Sequence, residues 1–191
     1  MSNPNLLRRV VCPLQFRAFR REFGNNPFKV LDVGAGNHSA TKFCNFFPNV
    51  EYYGIDRSKE YNNDENDFAL MKGFWEIDLT TLDFDVIPND YFDAINMSHI
   101  IEHLYNGDQV ISSLIRKIKM GGVIYIEFPG YQSTKLPSMR ATLNFFDDST
   151  HVRIFSCAEV YNILNEERMS SLRRGDETEL GIYFNDAVTT T

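Results

Sequence analysis

The run Phe28-Lys29-Val30-Leu31-Asp32-Val33-Gly34-Ala35-Gly36-Asn37 constrains the fold more than any other stretch of the chain. An apolar strand ending in a carboxylate feeds directly into a turn held open by two glycines. Gly34 and Gly36 lack Cβ atoms, so the backbone there can take positive φ and come close to a ligand before a helix starts near Ser39. About twenty residues further on, Val50-Glu51-Tyr52-Tyr53-Gly54-Ile55-Asp56 reads as a second strand that also ends in an acid. That is the spacing at which a carboxylate accepts both hydroxyls of a ribose. Together the two strands predict a βαβ unit that holds an adenosine-containing cofactor.

The rest of the chain continues the alternation. Before the first strand, Phe16, Phe19 and Phe23 share one helical face and Arg17, Arg20 and Arg21 another, which predicts an amphipathic helix docked onto the core. Ala40, Phe43, Cys44 and Phe47 recur at helical spacing until Pro48-Asn49. Residues 57–67 are polar and rich in Asn, Asp and Glu, so a short or irregular helix is expected there. Strands are expected over residues 73–78, ending in Asp78, over 91–98, and over 123–128, stopped by Pro129-Gly130. Between the last two, Val110, Ile111, Leu114, Ile115 and Ile118 form an apolar helical face that the Gly121-Gly122 turn is expected to close. Ser156 and Glu159 fit a capping box for a helix carrying Val160, Ile163 and Leu164 inward.

This order predicts an α/β fold: a Rossmann-like, doubly wound, mostly parallel sheet with helices on both faces. In such sheets ligands bind beyond the carboxyl ends of the strands, which here carry Asp32, Asp56, Asp78, Asn96 and Phe128-Pro129. Each acid alone also suits a turn or a helix cap. Caps do not require a carboxylate at three successive strand ends, and the series points to a ligand cleft.

Composition narrows the function classes. The 191 residues suit one domain, with a helical segment over 1–27, a core over 28–174 and a tail of unsettled structure over 175–191. A formal charge of -7 argues against an extended nucleic-acid surface, although Arg8, Arg9, Arg17, Arg20 and Arg21 gather positive charge near the N-terminus. No apolar run approaches the roughly 20 residues of a membrane helix and no signal-peptide core follows Met1, so a soluble, cytoplasmic protein is expected. Cys12, Cys44 and Cys157 are odd in number and far apart, which indicates neither a disulfide framework nor a structural zinc site. No metal ligand is assigned, and the oligomeric state is not legible.

Four blocks carry a resemblance. Leu31-Asp32-Val33-Gly34-Ala35-Gly36, Gly54-Ile55-Asp56, Ile77-Asp78-Leu79 and the strand-four block ending in His99-Ile100-Ile101-Glu102-His103-Leu104 resemble the class I S-adenosylmethionine-dependent methyltransferases, within them the broad type-11 group. The segment from Asp148 to Ser156 is similar to the family segment before the last large helix, and the resemblance covers residues 28–164. It implies S-adenosyl-L-methionine as cofactor, S-adenosyl-L-homocysteine as product, and a small-molecule acceptor. By the same resemblance Asp56 binds the ribose hydroxyls, Asp78 the adenine amino group and Leu79 the ring through its backbone. The turn from Gly34 to Gly36 and carbonyls near Asn96 hold the methionine portion, and Asp32 orients its ammonium end. An NAD fingerprint ranks below this, because Ser39 stands at the third glycine position.

His99 directly follows the fourth strand, where it would serve either as the base for a neutral alcohol or as a cap of the next turn. Glu102 and His103, one helical turn on, are expected to anchor that turn. His151 either closes over the acceptor or pins its loop through Asp147 or Asp148. Asn96-Met97-Ser98-His99 stands where an Asn-Pro-Pro-Tyr tetrad would mark methylation of a base or amide nitrogen, so an oxygen acceptor is favoured. The family fold ends in an antiparallel seventh strand inserted between the fifth and sixth. Here residues 169–174 are expected to form the sixth, and Leu180 to Phe184 offer a further strand with no hairpin return. A cofactor-binding protein without turnover, acting as a partner or regulator, is the alternative reading.

Overall fold

Strands with near-continuous apolar runs need cover on both faces, and this chain supplies it. The computed structural model describes residues 12–138, 144–173 and 181–186. Its sheet consists of β1 (Phe28–Val33), β2 (Val50–Asp56), β3 (Met71–Glu76), β4 (Phe92–Ser98), β5 (Ile118–Phe128) and β6 (Gly181–Asp186). The strand order is β3-β2-β1-β4-β5-β6, and every pairing is parallel. The helices are α1 (Leu14–Phe23), α2 (Ser39–Phe46), α3 (Glu65–Leu70), α4 (Gly107–Leu114) and α5 (Cys157–Arg173).

Side-chain alternation along β1 divides the core. Phe28 and Val30 face a layer containing Phe16 and Phe19 of α1 and Phe43 of α2. Leu31 and Val33 face the opposite layer, with Val110, Ile111 and Leu114 of α4 and Val160 and Leu164 of α5. The α1 helix docks as its pattern predicts. Phe19 is fully buried against Phe28, Phe43 and Tyr125, while Arg20 lies with its guanidinium 4.4 Å from the centre of the Phe46 ring. One arginine of the basic face is therefore a packing residue; Arg8 and Arg9 lie outside the described residues.

Four boundaries differ from expectation, each for a local reason. The helix over residues 57–67 is displaced to α3, where Asp64 caps the backbone N–H of Asn66 and Asp67, and Asp67 returns the bond to the N–H of Asp64. β3 runs two residues earlier than the 73–78 pattern, so Asp78 stands beyond the strand and caps the short turn Leu79–Thr81. Gly121-Gly122 does not close a helix. α4 gives way to the turn Ile115–Lys117, Ile118 opens β5, and the register with β4 jumps from Phe92↔Ile118 to Ala94↔Val123, so the glycines sit in a bulge. A Cβ on Gly122 would stand 2.3 Å from the Ile118 side chain and 3.0 Å from the carbonyls of Asp93 and Lys119.

The fourth difference is at the C-terminal end. Residues 169–173, expected as strand six, instead extend α5, while Arg174 and Leu180 lie outside the described residues. The sixth strand is Gly181–Asp186, which pairs with β5 in parallel, Tyr125 opposite Tyr183. It lies beside β5, the place the family fold gives to its inserted antiparallel strand, whose presence in this chain the sequence left unsettled. Among the described residues no antiparallel strand occurs, and no helix is long and apolar enough to cross a membrane.

Candidate cofactor and acceptor site

The register aligns the strand-end groups along one rim. Asp32 is level with Gly54 on one side and Asn96 on the other, and the N–H groups of Gly34 and Ala35 both donate to the carbonyl of Ile55, at 2.8 and 3.0 Å. Asp56 and the glycine turn are therefore neighbours at the carboxyl edge of the sheet.

Asp32 is 2% exposed and forms the centre of a buried polar knot. One of its oxygens accepts from the hydroxyls of Ser39 and of Tyr52, the latter at 2.5 Å, and the other from Asn96 Nδ2 at 2.6 Å. Burial pushes its carboxyl above the usual range, against the pull of the Asn96, Ser39 and Tyr52 donors. The knot ties β1, β2 and β4 to the first residue of α2. Asn96, 3% exposed, is held by this bond, while its Oδ1 is buried without a hydrogen-bond partner among the described residues. A buried acceptor left open at the ligand side of a sheet is suited to a donor from outside the chain.

The glycine turn behaves as its sequence predicts at one position and adds a second reason for its composition. Gly34 has φ +83°, a conformation that L side chains rarely adopt. A Cβ on Gly34 would meet the Ile100 side chain at 2.0 Å, and one on Gly36 would meet the Tyr61 ring at 2.3 Å. The missing side chains thus admit two flanking residues. The Tyr61 segment is laced to the turn, with Asn37 N–H donating to Tyr61 O, His38 N–H to Asn62 O, and Asn63 Nδ2 to Ala35 O at 2.7 Å.

Asp56 is half-buried, and one of its oxygens accepts the Ser58 N–H at 3.2 Å. Asp78 is exposed, with Oδ1 accepting from Thr80 N–H and Oγ1, the Thr80 hydroxyl first among the causes that hold its carboxyl below the usual range. Leu79 is 9% exposed and packs into the core at the rim. Each acid keeps its second oxygen outside these turn contacts. The groups present therefore fit the ribose and adenine end of an adenosine cofactor.

On the other side of the glycine turn stands His99, 51% exposed, with φ +56°. Its backbone N–H continues the β4–β5 ladder to Glu127 O, and its Nδ1 lies 3.2 Å from Glu102 Oε1. Glu102 holds the imidazole pKa above its ordinary value, opposed by partial desolvation. With Nδ1–H donating to that carboxylate, Nε2 is left as the basic atom. The Glu102 carbonyl accepts the N–H groups of Val152 and Arg153, which brings the loop carrying His151 down onto the turn that carries His103.

Sequence reasoning missed Tyr52 and Ser39 as partners of Asp32, and Tyr61 and Ile100 as covers of the glycines. The first pair had a signal: Tyr52 falls on the same strand face as Gly54 and Asp56, and Ser39 opens the helix after the turn. It also left Asp67 unmarked. That fully buried carboxylate takes four bonds, from Thr41 Oγ1 and N, from Asp64 N, and at 2.7 Å with His38 Nδ1.

A parallel sheet with acids at its carboxyl edge and a glycine turn between β1 and α2 defines a Rossmann-like cofactor-binding protein. Residues 7–167 match a family model described as the methyltransferase domain; the chain belongs to that family and is a class I S-adenosylmethionine-dependent methyltransferase. Its cofactor is S-adenosylmethionine. No curated protein matches the chain significantly. Among solved structures, a SAM-dependent methyltransferase from Archaeoglobus fulgidus is 21% identical, with 87% of this chain and 74% of that one covered and a TM-score of 0.58. The YcgJ protein of Bacillus subtilis is 22% identical, covering 80% of this chain and 67% of that one, with a TM-score of 0.56. Haemonchus contortus phosphoethanolamine N-methyltransferase 2, solved with S-adenosyl-L-methionine, is 17% identical over 80% of this chain and 36% of that one, with a TM-score of 0.57. At these identities the likeness is one of fold.

Proposed function

We propose that the chain methylates a small-molecule acceptor at oxygen, with His99 as the base. The observation that carries this reading is the placement of His99 at the carboxyl end of β4, half-exposed beside the glycine turn and oriented by buried Glu102. When bound, S-adenosylmethionine supplies a methyl group already activated on a sulfonium, so the chain's residues have to bind, orient and exclude water. Asp56 accepts the ribose hydroxyls, Asp78 and the Leu79 backbone take the adenine, and the turn from Gly34 to Gly36 with Asn96 holds the methionine portion. Asp32 fixes Asn96 and adds negative potential at that end. His99 Nε2 takes the acceptor's hydroxyl proton as the oxygen–methyl bond forms.

Support comes from the open Oδ1 of Asn96, from the second oxygens of Asp56 and Asp78, which lie outside the turn contacts among the described residues, and from Asn96-Met97-Ser98-His99 in place of a nitrogen-methylating tetrad. The test is formation of S-adenosylhomocysteine by the purified chain across matched panels of phenols, alcohols, amines and carboxylic acids. Turnover confined to hydroxyl acceptors is expected. Turnover on amines alone would overturn the oxygen assignment, and none with any panel would favour a cofactor-binding regulator.

A further inference from the structure

Three ligand-bearing side chains converge beside His99: Glu102, whose Oε1 orients that ring, and two histidines that the proposed methyl transfer does not use. Glu102, His103 and His151 each present one ligand atom, and these atoms lie within 4.8 Å of one another. Glu102 is 1% exposed, and its Oε2 has no hydrogen-bond partner among the described residues. An ionised carboxylate with one oxygen buried and unpaired is costly unless a cation meets it.

The hydrogen bonds around the two imidazoles define which nitrogen each ring offers. His151 Nδ1 lies 2.7 Å from the carbonyl of Phe145, which can only accept, so Nδ1 carries the proton and Nε2 the lone pair of the neutral ring. The Thr150 hydroxyl donates to Asp148 Oδ1 at 2.5 Å and therefore accepts from His103 Nδ1 at 2.9 Å, with the Thr150 carbonyl also within 3.3 Å. His103, too, is left with Nε2 as a lone pair. Each ring donates Nδ1–H to protein oxygens and, among the described residues, keeps Nε2 without a hydrogen bond, which is how metal-binding histidines are oriented by their outer partners. The rings stand 4.8 Å apart, centre to centre. Asp148 Oδ2 lies 3.9 Å from His151 Nε2, beyond hydrogen-bond reach, so among the described residues no hydrogen bond occupies that nitrogen.

We propose that Glu102, His103 and His151 form a site for one divalent cation, held by Glu102 Oε2 and the Nε2 atoms of the two histidines. Two imidazoles and one carboxylate suit zinc or a neighbouring first-row ion better than magnesium or calcium, which prefer all-oxygen sites. Three protein ligands leave positions for water or another oxygen ligand. Since Glu102 Oε1 contacts His99, such an oxygen would lie on the acceptor side of the cofactor. That use rests on the acceptor reading, whereas cation binding does not.

The second cluster, His38, Asp64 and Asp67, is the comparison case. Asp67 is already satisfied by its four donors, so among the described residues that cluster has no buried carboxylate oxygen left unpaired, unlike Glu102.

The test uses the full, tag-free chain stripped of metal and titrated with Co2+, then displaced by Zn2+. Expected are one equivalent bound, a visible cobalt absorption of low coordination number, and affinity weakened at least about 10-fold by His151→Ala and by His103→Ala. Circular dichroism checks that each variant folds, and Glu102→Gln, which keeps the side-chain shape, provides a further variant with the same expected loss. On the wild-type chain, histidine ring NMR with Zn2+ should shift the Nε2 signals of His103 and His151 while their Nδ1–H protons persist. Absence of stoichiometric binding, binding that the variants leave unchanged, or shifts confined to His38 would each overturn the proposal.

Discussion

His99 shows how much one residue's surroundings decide. Its φ of +56° and its backbone bond to Glu127 O fix where the ring starts, and Glu102 fixes the ring's tautomer. A base acts only as the proton leaves, so His99→Ala should lower kcat about 10²-fold or more while leaving the dissociation constant for S-adenosylhomocysteine nearly unchanged. Steady-state kinetics together with calorimetry read both quantities, and retained turnover would leave positioning alone as the source of catalysis. Asp32 contrasts with it: among the described residues it is enclosed by donors from Ser39, Tyr52 and Asn96. The sequence identified both residues, because strand ends are legible. It did not separate the exposed one from the one enclosed by Tyr52 and Ser39, because that depends on which groups three separate elements bring together.

At the scale of elements, α3 and the β5 bulge are where tertiary pairing overrode local pattern. α3 is only Glu65–Leu70, and Asp67 is what anchors it to α2. Burial would raise the Asp67 pKa, but bonds from Thr41, the Asp64 backbone and His38 outweigh it and hold it down to about 2. A carboxylate whose folded pKa is depressed stabilises the fold above its unfolded pKa of about 4, and that contribution is lost as pH falls toward 2. His38 and the Asp64 carboxylate are the other titrating groups facing it. The stability gap between wild type and Asp67→Asn, from urea unfolding, should therefore shrink by about 2 kcal/mol between pH 5 and pH 2. A gap constant with pH would mean that Asp67 is not ionised in the folded protein.

The bulge gives a paired test on neighbouring glycines. Gly121 has φ +75° with open space where a Cβ would go, so Gly121→Ala should cost about 1 kcal/mol of backbone strain. Gly122 is hemmed in by Ile118 and by two carbonyls that cannot rotate away, and Gly122→Ala should cost about 2–3 kcal/mol. Urea midpoints at unchanged slope check the order of the two. In the sequence, Gly121-Gly122 followed an apolar period that ran through Ile118 and so read as a helix stop. The pairing of Ile118 with Phe92, which the local pattern does not contain, made it strand. Residues 169–173 misled in the same way, since a short segment fits a strand until a helix begun at Cys157 runs through it.

For the whole molecule, the doubly wound sheet was legible because continuous apolar strands alternating with amphipathic helices leave few other arrangements. The acids at the carboxyl edge were legible for the same reason, whereas the cluster of Glu102, His103 and His151 was not, since the loop bearing His151 reaches Glu102 only through backbone bonds at Val152 and Arg153. The proposed cofactor rim lies mainly on β1, β2 and β4, the strands on which both core layers pack, so ligand bound there is expected to add to global stability. A ligand that binds only the folded chain adds about 2.7 kcal/mol when present at 100 times its dissociation constant. S-adenosylhomocysteine at that concentration should raise the Tm of the wild-type chain accordingly. Asp56→Ala removes charge-assisted bonds to the ribose that are expected to contribute about 1.5–3 kcal/mol, so at the same ligand concentration its gain should fall to about 0.3–1.3 kcal/mol. Because Asp56 is half-buried and only one of its oxygens serves the turn at Ser58, its replacement should leave the ligand-free Tm close to wild type. Thermal melts of both proteins across a ligand series separate the two effects, and equal ligand gains in the two proteins would move the ribose subsite away from the end of β2.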